Sequence, residues 1–105
     1  MYAVTKDEIK QIIDNHLIST KPFVIKNVPA REKKKYILIC MIIHFFKKGY
    51  DYTEKEVNNI LEPMTEHYVD LRRYLIEYKF LDRKSDGSSY WVIVNHDDYI
   101  DYKIN

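Results

Sequence analysis

With 105 residues, 46% of them hydrophobic and 31% charged, and only two glycines and three prolines, the chain suits one small domain with a single core; that composition excludes a disordered tail or a flexible linker. Its 17 basic and 16 acidic residues nearly cancel, to a formal charge of +1. Residues 21–48 nevertheless carry +7, residues 49–70 carry −5, residues 71–84 carry +3 and the two ends together −4, so overall neutrality excludes no polyanionic partner.

The first helix is predicted to open at Thr5, with Glu8 three residues on completing a capping box and Ile9, Ile12, Ile13 and Leu17 forming one apolar stripe. Asp7 and Glu8 stand where a signal peptide would be basic and then apolar, so a cytoplasmic location is expected. Pro22 and Pro29 bracket a short β-prone run, Phe23 to Val28, extended and at an edge. The second helix is predicted from Ala30 to Gly49, with Gly49 as its C-terminal cap and Lys47 and Lys48 facing the negative end of its dipole.

The middle of that helix, Tyr36 to Phe46, is eleven residues broken only by His44, short of the roughly 20 that a membrane-spanning helix needs. Being apolar nearly all round, it must be covered on more than one face, by the N-terminal helix or by a second copy of the chain. Cys40, the single cysteine, lies within it and reads as a reduced core residue.

Thr53 and Glu56 form a second capping box, starting a short helix with Val57, Ile60 and Leu61 inward and Pro63 beyond its end. The next helix begins at Thr65 or Glu66 and turns Tyr68, Leu71, Leu75 and Tyr78 inward, leaving Glu66, Asp70, Arg73 and Glu77 outward and Arg72 on the flank. Two β-prone runs, 80–84 and 89–94, follow, joined through Ser85, Asp86, Gly87 and Ser88; Asp-Gly predicts a two-residue hairpin turn with positive φ at both positions. The tail, residues 95–105, is acidic and tyrosine-bearing, a loop or a short docking helix.

Together these elements predict an α+β, mainly helical fold: a winged helix-turn-helix with a C-terminal β-hairpin wing and an extra N-terminal helix. Residues 1–28 would form the N-terminal helix and extended segment, 29–94 the winged helix, and 95–105 the tail.

A resemblance adds to this reading. Lys33-Lys34-Lys35, the run from Tyr52 to Asn58 with Ile60-Leu61, Leu71-Arg72-Arg73-Tyr74-Leu75-Ile76-Glu77-Tyr78, Leu81-Asp82-Arg83, and Asp86-Gly87-Ser88 with Tyr90-Trp91 are similar, over roughly residues 28–91, to a bacterial domain of unknown function, number 2087. Domains of that family are often appended to ArsR-type transcriptional regulators, and the resemblance implies a winged helix with a role in transcription. The chain departs from the family's pattern at Lys79, where a glycine commonly follows the tyrosine of the third helix, so the helix end should be capped differently here.

On a winged helix, Arg73, His67 and Tyr68 would approach the major groove, and Arg72 would either join them or pair internally with Glu56, Glu77 or Asp82. Lys55, Lys33, Lys34 and Lys35 would hold phosphates, and Lys84 with Ser88 would touch the backbone from the wing. The acidic residues on the same face predict modest, salt-sensitive binding to duplex DNA, by a homodimer joined through the 36–46 helix or the N-terminal helix. A winged-helix module that binds proteins instead of DNA is the alternative. The four histidines are scattered over four predicted elements and neither glycine has a second nearby, so no metal, cofactor, phosphate loop or enzymatic activity is expected.

Overall fold

A computed structural model describes residues 2–102. Helix α1, Lys6–His16, begins with its predicted capping box: the Thr5 amide donates to Glu8 Oε1 at 3.0 Å and the Glu8 amide to Thr5 Oγ1 at 3.2 Å. Ile9 and Ile12 are buried, but the helix stops one residue before Leu17. Leu17 instead takes an extended conformation and opens β1, Leu17–Thr20, which pairs antiparallel with β2, Phe23–Ile25. The run Ile18-Ser19-Thr20 explains this, because β-branched and hydroxyl side chains favour the extended chain over a further helical turn. The β-prone run is therefore half of a hairpin. The Lys26 and Asn27 amides donate to the carbonyl of His16, and the Ile25 amide to that of Met64, at 2.8, 3.4 and 2.8 Å.

Helix α2, Glu32–Ile42, continues into a single 3-10 turn, Ile43–Phe45. Every residue from Tyr36 to Ile43 is at most 4% exposed. Helix α1 packs on α2, as does the later helix Tyr68–Glu77, so the apolar circumference of α2 is covered within one chain. Gly49 does not cap this helix: Phe46 is already extended, and its buried ring packs edge-on against Tyr52 with centroids 5.4 Å apart. Gly49 supplies positive φ, 82°, to the following loop.

Helix α3, Glu54–Leu61, carries the second capping box, with the Glu56 amide 3.1 Å from Thr53 Oγ1. Helix α4, Tyr68–Glu77, starts later than Thr65 or Glu66; Thr65 Oγ1 accepts from the His67 amide at 3.1 Å and holds the chain in a turn before α4 begins. The expected inward face is in place, with Leu71 and Leu75 buried and Tyr68 and Tyr78 packed at its margins.

The end of α4 corrects the expectation drawn from Lys79. The Phe80 amide donates to the carbonyl of Leu75 at 2.9 Å and the Lys79 amide to that of Ile76 at 3.0 Å, the paired bonds of a left-handed helix stop. Lys79 itself takes φ of 62°, so the cap that a glycine would form is made by a lysine.

Strands β3, Leu81–Arg83, and β4, Tyr90–Val92, form an antiparallel hairpin, and Tyr52 joins it by two reciprocal backbone bonds to Tyr90, each 2.8 Å. The connection is longer than a two-residue turn. Lys84 pairs with Ser89, the Gly87 amide returns to the carbonyl of Lys84 at 2.9 Å, and Gly87 alone of the Asp-Gly pair has positive φ. The Asp86 carboxylate takes the Ser88 amide at 2.9 Å, a local bond that favours the wider loop.

The tail docks through a 3-10 turn, His96–Asp98, capped by Asn95. His96 Nε2 hydrogen-bonds the carbonyls of Ile43 and Phe46 at the end of α2, at 3.2 and 2.8 Å; Tyr99 lies against Phe80 and Tyr102 against Phe23. The end of the tail, residues 103–105, lies outside the described residues. One apolar cluster runs from Ile9 to Tyr102, so α1, the first hairpin and the tail share the core of the central helices. No helix among the described residues is long and apolar enough to cross a membrane.

Lys79→Gly removes the steric cost of a left-handed β-carbon while keeping both capping bonds. It should stabilise the fold by about 1 kcal/mol and raise the thermal midpoint by roughly 4–8 °C in a chain of this size, as read by circular dichroism. An unchanged or lowered midpoint would contradict the capping account.

Candidate nucleic-acid interface

Helix α4 turns Val69, Asp70, Arg73 and Glu77 to solvent, with Val69 51% exposed. Beside that face a cleft of about 410 Å³ separates α4 from the β3–β4 turn and the start of α3. Three arginines line it, Arg72, Arg73 and Arg83, together with three carboxylates, Glu54, Glu77 and Asp86. The residues come from three elements, held in register by Tyr52 bridging α3's entry to β4 and by α3 packing against α4.

Glu54 organises the cleft. Its Oε1 lies 2.9 Å from Arg72 Nη2, while Arg72 Nη1 donates to Asn58 Oδ1, so the guanidinium bridges two α3 residues one turn apart. A β-carbon on Gly87 would lie 3.7 Å from Glu54 Oε2 and 3.5 Å from Arg83 Nη1, which brings the turn of the hairpin close to the same carboxylate. Arg72 is thus paired internally, as one of its two expected roles requires, but with Glu54 and Asn58 in place of Glu56, Glu77 or Asp82. Its side chain is 18% exposed and that of Arg73 57%. Arg73 reaches Asp70 at 3.4 Å and lies over the ring of Tyr74, 5.1 Å from its centroid. In the turn, the hydroxyl and amide of Ser88 hold the Asp86 carboxyl below its usual range.

The lysines fall into different settings. Lys35 sits over Tyr74 at 4.6 Å, so Lys35 and Arg73 share one ring and the basic start of α2 meets the exposed face of α4. Lys33 instead pairs with Glu8 of α1 at 2.7 Å, and this bond, ahead of the Thr5 amide, lowers the Glu8 carboxyl. Lys34 is half-buried, whereas Lys55 and Lys84 are exposed on α3 and at the end of the β3–β4 hairpin. His67 is exposed at the N-terminus of α4, and Tyr68 packs partly into the core with its ring. Ser88 is exposed beside Gly87.

Sequence reasoning passed over Val69, although its place among Glu66, Asp70 and Arg73 at helical spacing was enough to put it on the outward face. It also passed over Glu54, whose contact with Arg72 depends on how the α3–α4 turn folds. Among the described residues no group of three His, Cys, Asp or Glu side chains is placed to hold a metal ion.

These features define a small, mainly helical α+β protein with two antiparallel hairpins and a mixed-charge cleft. The family of uncharacterized proteins conserved in bacteria, DUF2087, matches residues 24–92, and the chain belongs to that family. The match begins within β2 and ends at the last residue of β4, spanning the whole cleft but neither α1 nor the tail. No curated protein and no solved structure matches the chain.

The two adjacent arginines should separate in unfolding experiments. Arg72→Ala strands Glu54 and Asn58 at a half-buried contact and should cost about 1–3 kcal/mol in urea unfolding. Arg73→Ala removes an exposed pair and should stay within about 0.5 kcal/mol of the parent chain. Equal losses would contradict the assignment of Arg72 to the scaffold.

Proposed function

We propose that this chain is a winged-helix protein that binds duplex DNA, with α4 as the helix entering the major groove and β3–β4 as the wing. The observation that carries the reading is the convergence of Arg72, Arg73 and Arg83 between α4 and the hairpin turn. The order of α2, the Tyr52 bridge, α3, α4 and the β3–β4 hairpin supports it, as does Lys35 extending the positive edge across Tyr74. Arg73 is the residue best exposed to reach guanine or phosphate, because Arg72 is committed to Glu54. Lys84 and Ser88 stand on the hairpin turn where a wing meets the backbone, and Lys55 and Lys35 add phosphate contacts from α3 and α2.

The carboxylates in the cleft and Asp70 beside it set the mechanism. DNA must displace Asp70 from Arg73 and approach Glu77 and Asp86, so attraction is partly cancelled and binding is weak and strongly salt-dependent. A role in transcription follows from this reading, with regulation exerted through modest affinity or through several copies on one site.

One observation favours the alternative, a protein-binding module: Val69 is 51% exposed at the N-terminal end of α4's outward face. An apolar side chain between carboxylates suits a protein partner better than phosphates.

Fluorescence anisotropy with a labelled mixed-sequence duplex at low salt tests the proposal. Micromolar binding should weaken steeply with salt, and Arg73→Ala and Lys84→Ala should each reduce the slope of log affinity against log salt by about 1. Binding indifferent to salt and to both substitutions, or a tight protein complex covering Val69 with no duplex binding, would overturn it.

A further inference from the structure

A second cleft, of about 480 Å³, opens where the segment before α1, the middle of α2 and the C-terminal tail meet. The rings of Tyr2, Tyr36 and Tyr99 line it together with Ile9 and Cys40. Asp98 is the one charged side chain among the described residues around it, and none of them is basic. Burial pushes the Cys40 thiol up to about 12, so it is a neutral wall of the cleft and not a nucleophile.

Two features give this cleft a preference and a consequence. Electron-rich phenol faces beside a carboxylate attract a cation, and the hydrocarbon lining rewards an apolar body attached to it. The same rings also reach the end of α4. Tyr36 lies 5.9 Å from Tyr78 and 5.6 Å from Phe80, and Tyr99 lies 5.0 Å from Phe80, centroid to centroid. Tyr78 and Phe80 flank Lys79, the left-handed residue at which α4 stops and β3 begins.

We infer that this cleft binds a small organic cation, an amine with an aromatic body, whose ammonium meets Asp98 and whose ring packs against Tyr2 and Tyr99, and that its occupancy shifts the joint between α4 and β3. Binding and the shift of the joint stand apart from the reading of the chain as a DNA-binding protein.

The experiment is a titration of the uniformly 15N-labelled full chain with phenethylammonium, followed by amide shifts and run without DNA, so that a failure of the DNA reading leaves it intact. Parallel titrations use 2-phenylethanol, which keeps the ring and loses the charge, and the amine on Asp98→Asn. Asp98 is exposed on the tail, and the comparison of amine with alcohol needs no variant. The expected result is saturable movement of the Ile9, Cys40 and Tyr99 amides with the amine. The Tyr78 and Phe80 amides should move with the same midpoint, and affinity should be roughly tenfold lower for the alcohol and for Asp98→Asn. No saturable shift in the millimolar range, equal affinity for amine and alcohol, or an unmoved Phe80 would overturn the inference.

Discussion

The structure depends on covering α2 all round. From Tyr36 to Ile43 no residue faces solvent, an arrangement that a helix with one apolar stripe never requires. Each large side chain buried there contributes about 1.5–3 kcal/mol, so leaving even one side of α2 bare would cost a sizeable part of the stability of so small a domain. Coverage comes from parts far apart in the chain. Helices α1 and α4 pack on α2, Tyr2, Tyr78 and Phe80 surround the ring of Tyr36, and His96 closes the far end at the carbonyls of Ile43 and Phe46.

That requirement also fixes the candidate interface. Because Leu71 and Leu75 must enter the core, α4 has no choice but to turn Val69, Asp70, Arg73 and Glu77 outward. The hairpin is then set by Tyr52 and by the left-handed stop at Lys79, which aims β3 back along the domain. The arginines are brought together by the packing of the core, while Glu54 holds the guanidinium of Arg72, Asp70 that of Arg73, and the carboxylates of the cleft match its arginines in number. On the proposed reading, a polyanion meets two arginines that already have partners.

Much of this was legible because the signals were local. Both capping boxes act over three residues, and Thr5-Glu8 and Thr53-Glu56 formed as the sequence predicts. Burial of the α2 core could be read from an apolar run too short for a membrane and too round for a surface. The misreadings arose where a local preference lost to a contact distant in sequence. Gly49 was outcompeted as a cap because Phe46 leaves the helix early to bury its ring on Tyr52, and Lys79 adopts a glycine's conformation because Phe80 must enter the core. Glu54 could not be chosen over Glu56 for Arg72 because the choice depends on the α3–α4 crossing, which periodicity does not encode. The first hairpin was hidden for a related reason: Leu17 keeps the apolar spacing of α1 while belonging to β1.

The covered helix holds α4 and the β3–β4 turn as one face, the face that we propose meets duplex DNA. Amide shift mapping of the full chain with a short duplex at low salt tests it most directly, because it locates the contact as well as detecting it. The account predicts that the amides of Val69, Arg73, Glu77, Ser85, Gly87 and Ser88 move together while those of Ile12, Ile18 and Val24 stay fixed. Shifts centred on α1 or the first hairpin, or a spectrum unchanged by the duplex, would contradict it.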